Sequence, residues 1–324
     1  MKKAFNIEYK DIISIENLLE AWREFLNGKK NRKDVQEFQC NFMGNIIKLH
    51  DDLNHRNYIH SEYYAFNIAD PKPRNIHKAS VGDRLLHHAI HRKLYSYFNS
   101  TFISDSYSCR LDKGTHKALE RFQKFTYKAS RNGTKTEWIL KCDIRKFFAN
   151  IDHRILKNIL SKYISDQSIL WLLGKVIDSF NTDGKTEIGL PLGNLTSQLL
   201  VNIYMNKFDQ WMKHRMKIKY YIRYTDDFVI FSQDEDYLWE LVPKIADFLE
   251  EELKLILHPN KIFIETIASG MDFLGWVNFS DYRILRTTTK RKMFRKIKES
   301  DGKIEMIQSY LGLLGYGNSN KLRN

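Results

Sequence analysis

Cysteine is scarce in this chain: Cys40, Cys109 and Cys142 are the three among 324 residues. They fit neither a metal-ligand spacing nor a disulfide framework, which predicts reduced thiols and a cytoplasmic protein. Long apolar runs are missing too. No stretch approaches the ~20 residues that cross a bilayer, so no membrane association is expected. The start, Met1-Lys2-Lys3-Ala4-Phe5-Asn6, lacks the apolar segment of a signal peptide. Internal repeats and low-complexity segments are absent. What remains is 43% hydrophobic and 13% aromatic, enough to bury a sizeable core in two packed lobes. Charge is the strongest compositional signal. Lys and Arg total 52 against 39 Asp and Glu, a formal net charge of +13, which favours a polyanionic partner, nucleic acid first. A basic chain indifferent to nucleic acid is the alternative that charge alone leaves.

The stretch around which the rest is organised runs Tyr220-Tyr221-Ile222-Arg223-Tyr224-Thr225-Asp226-Asp227-Phe228-Val229-Ile230-Phe231. Aromatic and β-branched residues flank two adjacent carboxylates, the pattern of a β-hairpin with acids at its tip. Adjacent acids on an apolar hairpin repel and lose hydration, so a positive charge must offset that cost. A divalent ion does so, and Asp oxygens suit Mg²⁺. A solvated surface turn is the plainer reading of Asp-Asp alone.

Along the chain, Ser14 caps a helix carrying Leu18, Leu19, Trp22, Phe25 and Leu26, with Gly28 to end it. A basic connector, Lys29-Lys30-Asn31-Arg32-Lys33, leads to one helix with Val35, Phe38, Phe42, Ile46, Leu49 and Leu53 on a face. Residues 58–68 read as extended, and Pro71 and Pro73 break the chain. A helix from Asp83 to Phe98 contains His87, His88 and His91, which read as packing residues because no carboxylate or cysteine supports a metal site. Gly114-Thr115 opens a helix to about Ala129. Trp138, Leu140 and Cys142 alternate along a strand that delivers Asp143 at its end. Helices follow at about 153–163 and 167–180, a hairpin turn at Asp183-Gly184, a loop Gly189–Gly193 and a helix from Asn194 to about Met216. After the acidic hairpin come a helix over about 235–253, strands near 262–267 and 271–279, a basic C-terminal part and a Gly-rich tail from Gly312. This order describes an α+β layer with a mixed sheet. It lets Asp143 converge with Asp226 and Asp227.

Three acids at one end of a sheet in a basic chain point to two-metal phosphoryl transfer. Nucleotidyl transfer and phosphodiester hydrolysis both use that arrangement, but hydrolysis needs a positioned base, and no His or Glu adjoins either acidic motif.

The motifs carry a resemblance. Asp143-Ile144-Arg145-Lys146-Phe147-Phe148-Ala149-Asn150-Ile151-Asp152-His153 is similar to the first palm motif of bacterial reverse transcriptases. Gly189-Leu190-Pro191-Leu192-Gly193-Asn194-Leu195-Thr196-Ser197-Gln198 resembles their nucleotide-contacting loop and helix, and Tyr224-Thr225-Asp226-Asp227 their Tyr-x-Asp-Asp box. Phe273-Leu274-Gly275-Trp276 resembles the primer grip. Asp70–Ile76 and Asp83-Arg84 resemble the fingers motifs, and Asp105–Arg110 with Lys113-Gly114-Thr115 follows in family order. The likeness covers about residues 60 to 285.

The resemblance implies a right-hand polymerase: N-terminal helices and fingers over 1–135, a catalytic palm with a mixed or antiparallel sheet over 136–284, and a short basic helical thumb over 285–324. It implies two Mg²⁺ ions, with Mn²⁺ as a substitute, held by Asp143 and Asp226 with help from the Ile144 carbonyl, and Asp227 as a weaker or indirect ligand. Lys72 and Arg74 pair with the incoming dNTP. Phe148 takes the steric-gate position that favours deoxynucleotides. Tyr224, Thr225, Phe273, Leu274, Gly275 and Trp276 face primer and template, with Arg291, Lys292 and Arg295 tracking the primer-template backbone.

Leu192 and Gln198 sharpen the subfamily, since most similar enzymes carry Gln and Pro there. The Gly-Asn-Leu-Thr-Ser-Gln form resembles reverse transcriptases of diversity-generating retroelements, which copy a template-repeat RNA into cDNA with errors at adenines and work with a small basic accessory variability protein. An aliphatic side chain at Leu192 withdraws a hydrogen bond from beside the nascent pair, which loosens geometric checking. Thr225 departs from the Met more usual in that subfamily. A retron or defence-associated reverse transcriptase, a two-metal phosphodiesterase and a catalytically silent RNA-binding protein are the alternatives.

Overall fold

The computed structural model describes residues 4–69 and 73–318. Two compact units divide the chain. The first comprises 1–103, 146–210 and 249–255, the second 104–145, 211–248 and 256–324. These cut the sequence differently from linear boundaries at 135 and 284, because the chain leaves each unit and returns to it.

In the first unit, helix Val81–Thr101 is the central element. Ser80 caps it by accepting from the Asp83 amide at 3.1 Å. Helix Ile15–Phe25 and helix Leu195–Gln210 both pack on it. Ser14 caps the former, accepting from the Asn17 amide at 3.2 Å. The stretch read as one helix over 35–53 is two, Lys33–Cys40 and Phe42–Asn54. Asn41 breaks it at φ −122°, ψ 46°, and the missing side chain at Gly44 makes room: a Cβ there would lie 2.6 Å from Asn41 Oδ1. The Trp22 ring spans the break, with centroids 5.1 Å from both Phe38 and Phe42. Strands β1 (Tyr64–Ile68) and β2 (Arg74–Lys78) pair antiparallel. Asp183-Gly184 makes a turn without flanking strands.

The three histidines pack into this unit. His87 is buried, and burial drives its imidazole pKa down to about 3; His88 falls to about 4 for the same reason. Both are therefore neutral at physiological pH.

The second unit is built on a four-stranded sheet. Its strands are β3 (Trp138–Asp143), β4 (Tyr221–Tyr224), β5 (Asp227–Ser232) and β6 (Phe263–Thr266), in the order β4-β5-β3-β6. Every pairing is antiparallel, so the expectation of a mixed sheet resolves to its antiparallel form. Helix Thr115–Ala129 packs on β4 and β5, and Phe122 places its ring 4.9 Å from Phe231 and 5.6 Å from Phe273. The segment read as one strand over 271–279 is instead a hairpin of β7 (Met271–Phe273) and β8 (Trp276–Asn278), joined by β9 (Arg283–Leu285) into a second sheet. Leu274 and Gly275 at φ 52° and 85° form its two-residue turn, the primed geometry that matches strand twist. Helices Thr287–Glu299 and Ile304–Leu314 follow, and Gly312, read as tail, lies inside the second of them. Met293 and Leu314 add to the core formed with Phe122, Phe231, Phe273 and Trp276.

Candidate active site

The alternation of β3 decides what stands at its end. Ile139, Lys141 and Asp143 share one face, while Leu140 and Cys142 go to the other. Asp143 pairs directly with Asp227, the first residue of β5. Directly opposed side chains on one face of an antiparallel pair have Cβ atoms about 5 Å apart. The loop between β4 and β5 is Thr225-Asp226, closed by the Tyr224–Asp227 pair. The Ile144 amide donates to the Asp226 carbonyl at 3.2 Å. Residues far apart in sequence are thus stitched together at one sheet end.

Two lysines that sequence reading missed balance these acids. Lys261, from the short turn Pro259–Lys261, sets its Nζ 3.0 Å from Asp143 Oδ1. The His258 amide donates to the Asp143 carbonyl at 2.8 Å, which fixes that turn against β3. Lys141 donates to the Asp272 carbonyl at 2.6 Å. The period-two alternation of β3 was a signal for Lys141; nothing local pointed to Lys261. Asp227 carries the strain of the arrangement. Its Oδ1 is buried without a hydrogen-bond partner. Burial pushes its carboxyl up to about 7, Lys141 opposes this, and the neighbouring Asp143, Asp226 and Asp272 add to it.

Among the described residues no group of three or more His, Cys, Asp or Glu side chains stands ready to hold a metal ion. That does not argue against Mg²⁺, which is usually held by one or two carboxylates and completed by water and substrate phosphates. The donors present fit it: hard oxygen ligands, a buried unpartnered Asp227 oxygen, and acids otherwise charge-balanced by lysine. Asp143 and Asp226 would hold such an ion.

The sequence-predicted nucleotide residues lie in the first unit. Phe148 sits in the turn Phe147–Asn150, its carbonyl accepting from the Leu190 amide at 2.8 Å. The Gly189–Asn194 loop is clamped on β2: the Leu192 carbonyl accepts from the His77 amide at 3.1 Å, and Asn194 Nδ2 donates to the His77 carbonyl at 3.0 Å. Gly193 at φ +103° lets the loop pass 3.0 Å from Ile76 Cγ2, measured from where a Cβ would be. One unit therefore joins Arg74, exposed at the start of β2, with Phe148 and the partly exposed Leu192. Gln198 lies in the first turn of helix Leu195–Gln210 and accepts on its carbonyl from Asn202 Nδ2 at 3.2 Å. Lys72, like Asp70 and Pro71, lies outside the described residues.

In the second unit, the Tyr224 hydroxyl accepts from Thr115 Oγ1 at 3.2 Å. Phe273 and Trp276 are 0% and 2% exposed, so they support the β7–β8 hairpin from within, and its Leu274-Gly275 tip is what it presents. Arg291 and Arg295 are exposed on helix Thr287–Glu299 and Lys292 is half-buried. Acids engage cations of the basic C-terminal part. Arg286 pairs with Asp272, and Arg295 with Glu299 at 3.7 Å.

Comparison with known proteins agrees with this geometry. Residues 69–277 match the family described as reverse transcriptase (RNA-dependent DNA polymerase). The chain belongs to the reverse transcriptase family. It is 25% identical over 232 residues to protein YkfC of Escherichia coli, covering 60% of each chain. It is 24% identical over 293 residues to the group II intron-encoded protein LtrA of Lactococcus lactis, covering 69% of this chain and 47% of LtrA. The chain thus spans about half to three fifths of these relatives. Among solved structures, apo telomerase from Candida tropicalis truncated from its C-terminal domain superposes with a TM-score of 0.54 at 12% identity, covering 75% of this chain and 60% of that one. The fold is that of a right-hand polymerase.

Proposed function

We propose that this protein is an RNA-directed DNA polymerase whose palm carries Asp143, Asp226 and Asp227 as the acids of nucleotidyl transfer. The observation that carries the reading is the direct cross-strand pairing of Asp143 with Asp227, with Asp226 in the adjoining turn. A pair of Mg²⁺ ions, when bound, supplies charge that offsets the negative charge developing on the transferred phosphate. The chain's own residues do the remaining work. Asp143 and Asp226 hold the metal site, and Asp227 supports it from its buried position. Lys141 and Lys261 keep the acidic cluster from dispersing. Arg74 binds triphosphate, and the Phe148 ring excludes a ribose 2′-OH. Leu274-Gly275 positions the primer end, and Arg291, Lys292 and Arg295 bind backbone phosphate. Fingers, palm and thumb correspond to the sequence ranges 1–135, 136–284 and 285–324.

We propose further that the template is a template-repeat RNA, copied with errors at adenines for a diversity-generating retroelement, with a small basic accessory protein as partner. Leu192 supports this. The loop is fixed through backbone bonds to His77, leaving an aliphatic side chain where a Gln would offer a hydrogen bond. A retron or defence-associated enzyme is the alternative. Sequencing cDNA made by the purified protein on a defined RNA decides: misincorporation concentrated opposite template adenine supports the retroelement reading, and a flat error spectrum removes it.

A further inference from the structure

The motif Asp105–Arg110 with Lys113-Gly114-Thr115 has no role in the chemistry so far, and the structure places it beside the catalytic turn. Ser106 forms an isolated parallel bridge with Arg223. The Arg223 amide donates to the Asp105 carbonyl at 3.0 Å, and the Tyr107 amide donates to the Arg223 carbonyl at 3.0 Å. This segment therefore runs along β4 as a short extra edge. It continues to the turn itself: Thr225 Oγ1 donates to Ser108 Oγ at 2.6 Å.

Thr225 needs holding. It takes φ +60°, a left-handed conformation that a β-branched residue adopts only under constraint. The first loop residue of such a hairpin is ordinarily Gly, Asn or Asp. A second restraint comes from Arg223, 1% exposed. Its Nη1 donates to the Thr225 carbonyl at 2.9 Å, and its Nη2 donates to Ser106 Oγ at 3.4 Å. Both the side chain and the carbonyl of Thr225 are thus fixed, one by the motif and one by the guanidinium.

We infer that Ser108 and Arg223 are positioning residues that lock the strained Thr225 so that Asp226 is presented beside Asp143 and Asp227. This rests on the reading of those acids as the catalytic set. The motif acts as a brace: it touches no reacting atom but fixes the backbone that carries one. A turn relaxed at Thr225 would let the Asp226 carbonyl drift from the Ile144 amide that now donates to it. Sub-ångström misplacement of a ligand lowers turnover more than it lowers binding.

The test is a cycle of Ser108→Ala, Thr225→Val and the double variant in the full chain, with primer extension on a homopolymeric RNA template. Each single variant is expected to lower kcat about fivefold to tenfold, the scale of one hydrogen bond. The Mg²⁺ concentration for half-maximal rate should rise, and primer-template affinity should stay within about twofold. The double variant should be no slower than the slower single, because both remove the same bond. Thr225→Gly separates bracing from plain structure: Gly adopts positive φ freely, so this variant should melt no lower than the parent while losing activity. Ser108→Ala with unchanged kcat and metal requirement, multiplicative losses, or a Thr225→Gly variant that loses stability and activity together each overturns the proposal. Asp226→Asn, run in parallel, tests the underlying assignment separately. Retained incorporation there defeats the site reading whatever Ser108→Ala does.

Discussion

Asp143 and Asp227 face each other as a directly opposed pair on the β3–β5 ladder. Like charges in that position repel; burial raises the Asp227 carboxyl to about 7, and the charge of Asp143 adds to that shift. Lys261 at 3.0 Å from Asp143 and Lys141 on the same strand face offset part of it.

Replacing Asp226 by Asn should abolish dNTP incorporation on an RNA template with Mg²⁺ while RNA binding persists. Primer extension and filter binding on the same preparation check this. Activity within tenfold of the parent would remove Asp226 from the site.

Lys261→Ala should leave Asp143 without its ammonium partner. Nucleotide incorporation should fall, with a shift in the Mg²⁺ concentration that supports half-maximal rate. A metal titration of initial rates reads it, and an unshifted curve would assign Lys261 to packing alone.

Leu192→Gln should reduce misincorporation opposite template adenine, read by sequencing the product cDNA. Phe148→Ala should admit ribonucleotides, read as a fall in the discrimination between dNTP and rNTP. The two variants change different properties, so each controls for general damage by the other.

Glu137 gives a pH prediction independent of catalysis. It is 1% exposed, neither carboxylate oxygen has a partner, and burial pushes its pKa up to about 9. The folded state therefore holds a proton that the unfolded chain releases near 4.5, so this group's contribution to stability is lost progressively as pH rises from about 4.5 to about 9. At neutral pH the cost is about 3 kcal/mol. Glu137→Gln carries no charge to bury. It should lie within about 1 kcal/mol of the parent at pH 5 and melt about ten degrees or more higher at pH 8, where the cost is about 5 kcal/mol at about 2–4 °C per kcal/mol. Parallel melting curves across that range would dismiss the effect.

Much of this arrangement was legible before any coordinates. The cap at Ser14, the helix opening at Gly114 and the strand ending on Asp143 follow from local rules of capping and alternation. The break at Asn41 was not, since Phe38, Phe42 and Ile46 keep a helical period across it; the interruption depends on the side chain Gly44 lacks. The β7–β8 hairpin was missed because its turn uses Leu274 before Gly275, not the Asn-Gly or Asp-Gly that marks a primed turn. The contacts of Lys261 and Ser108 were invisible for a different reason. Their partners, Asp143 and Thr225, are tertiary neighbours that no window of sequence contains.

The crossing of the chain between its two units carries a practical consequence. A cut at residue 145 would keep β3 and strand it from β5, and a fragment beginning at 211 would hold β5 without the strand that faces it. No single scission separates the two units. Partial proteolysis should therefore clip surface loops without releasing either unit, and grafting the second unit onto another scaffold requires transplanting three separate stretches together.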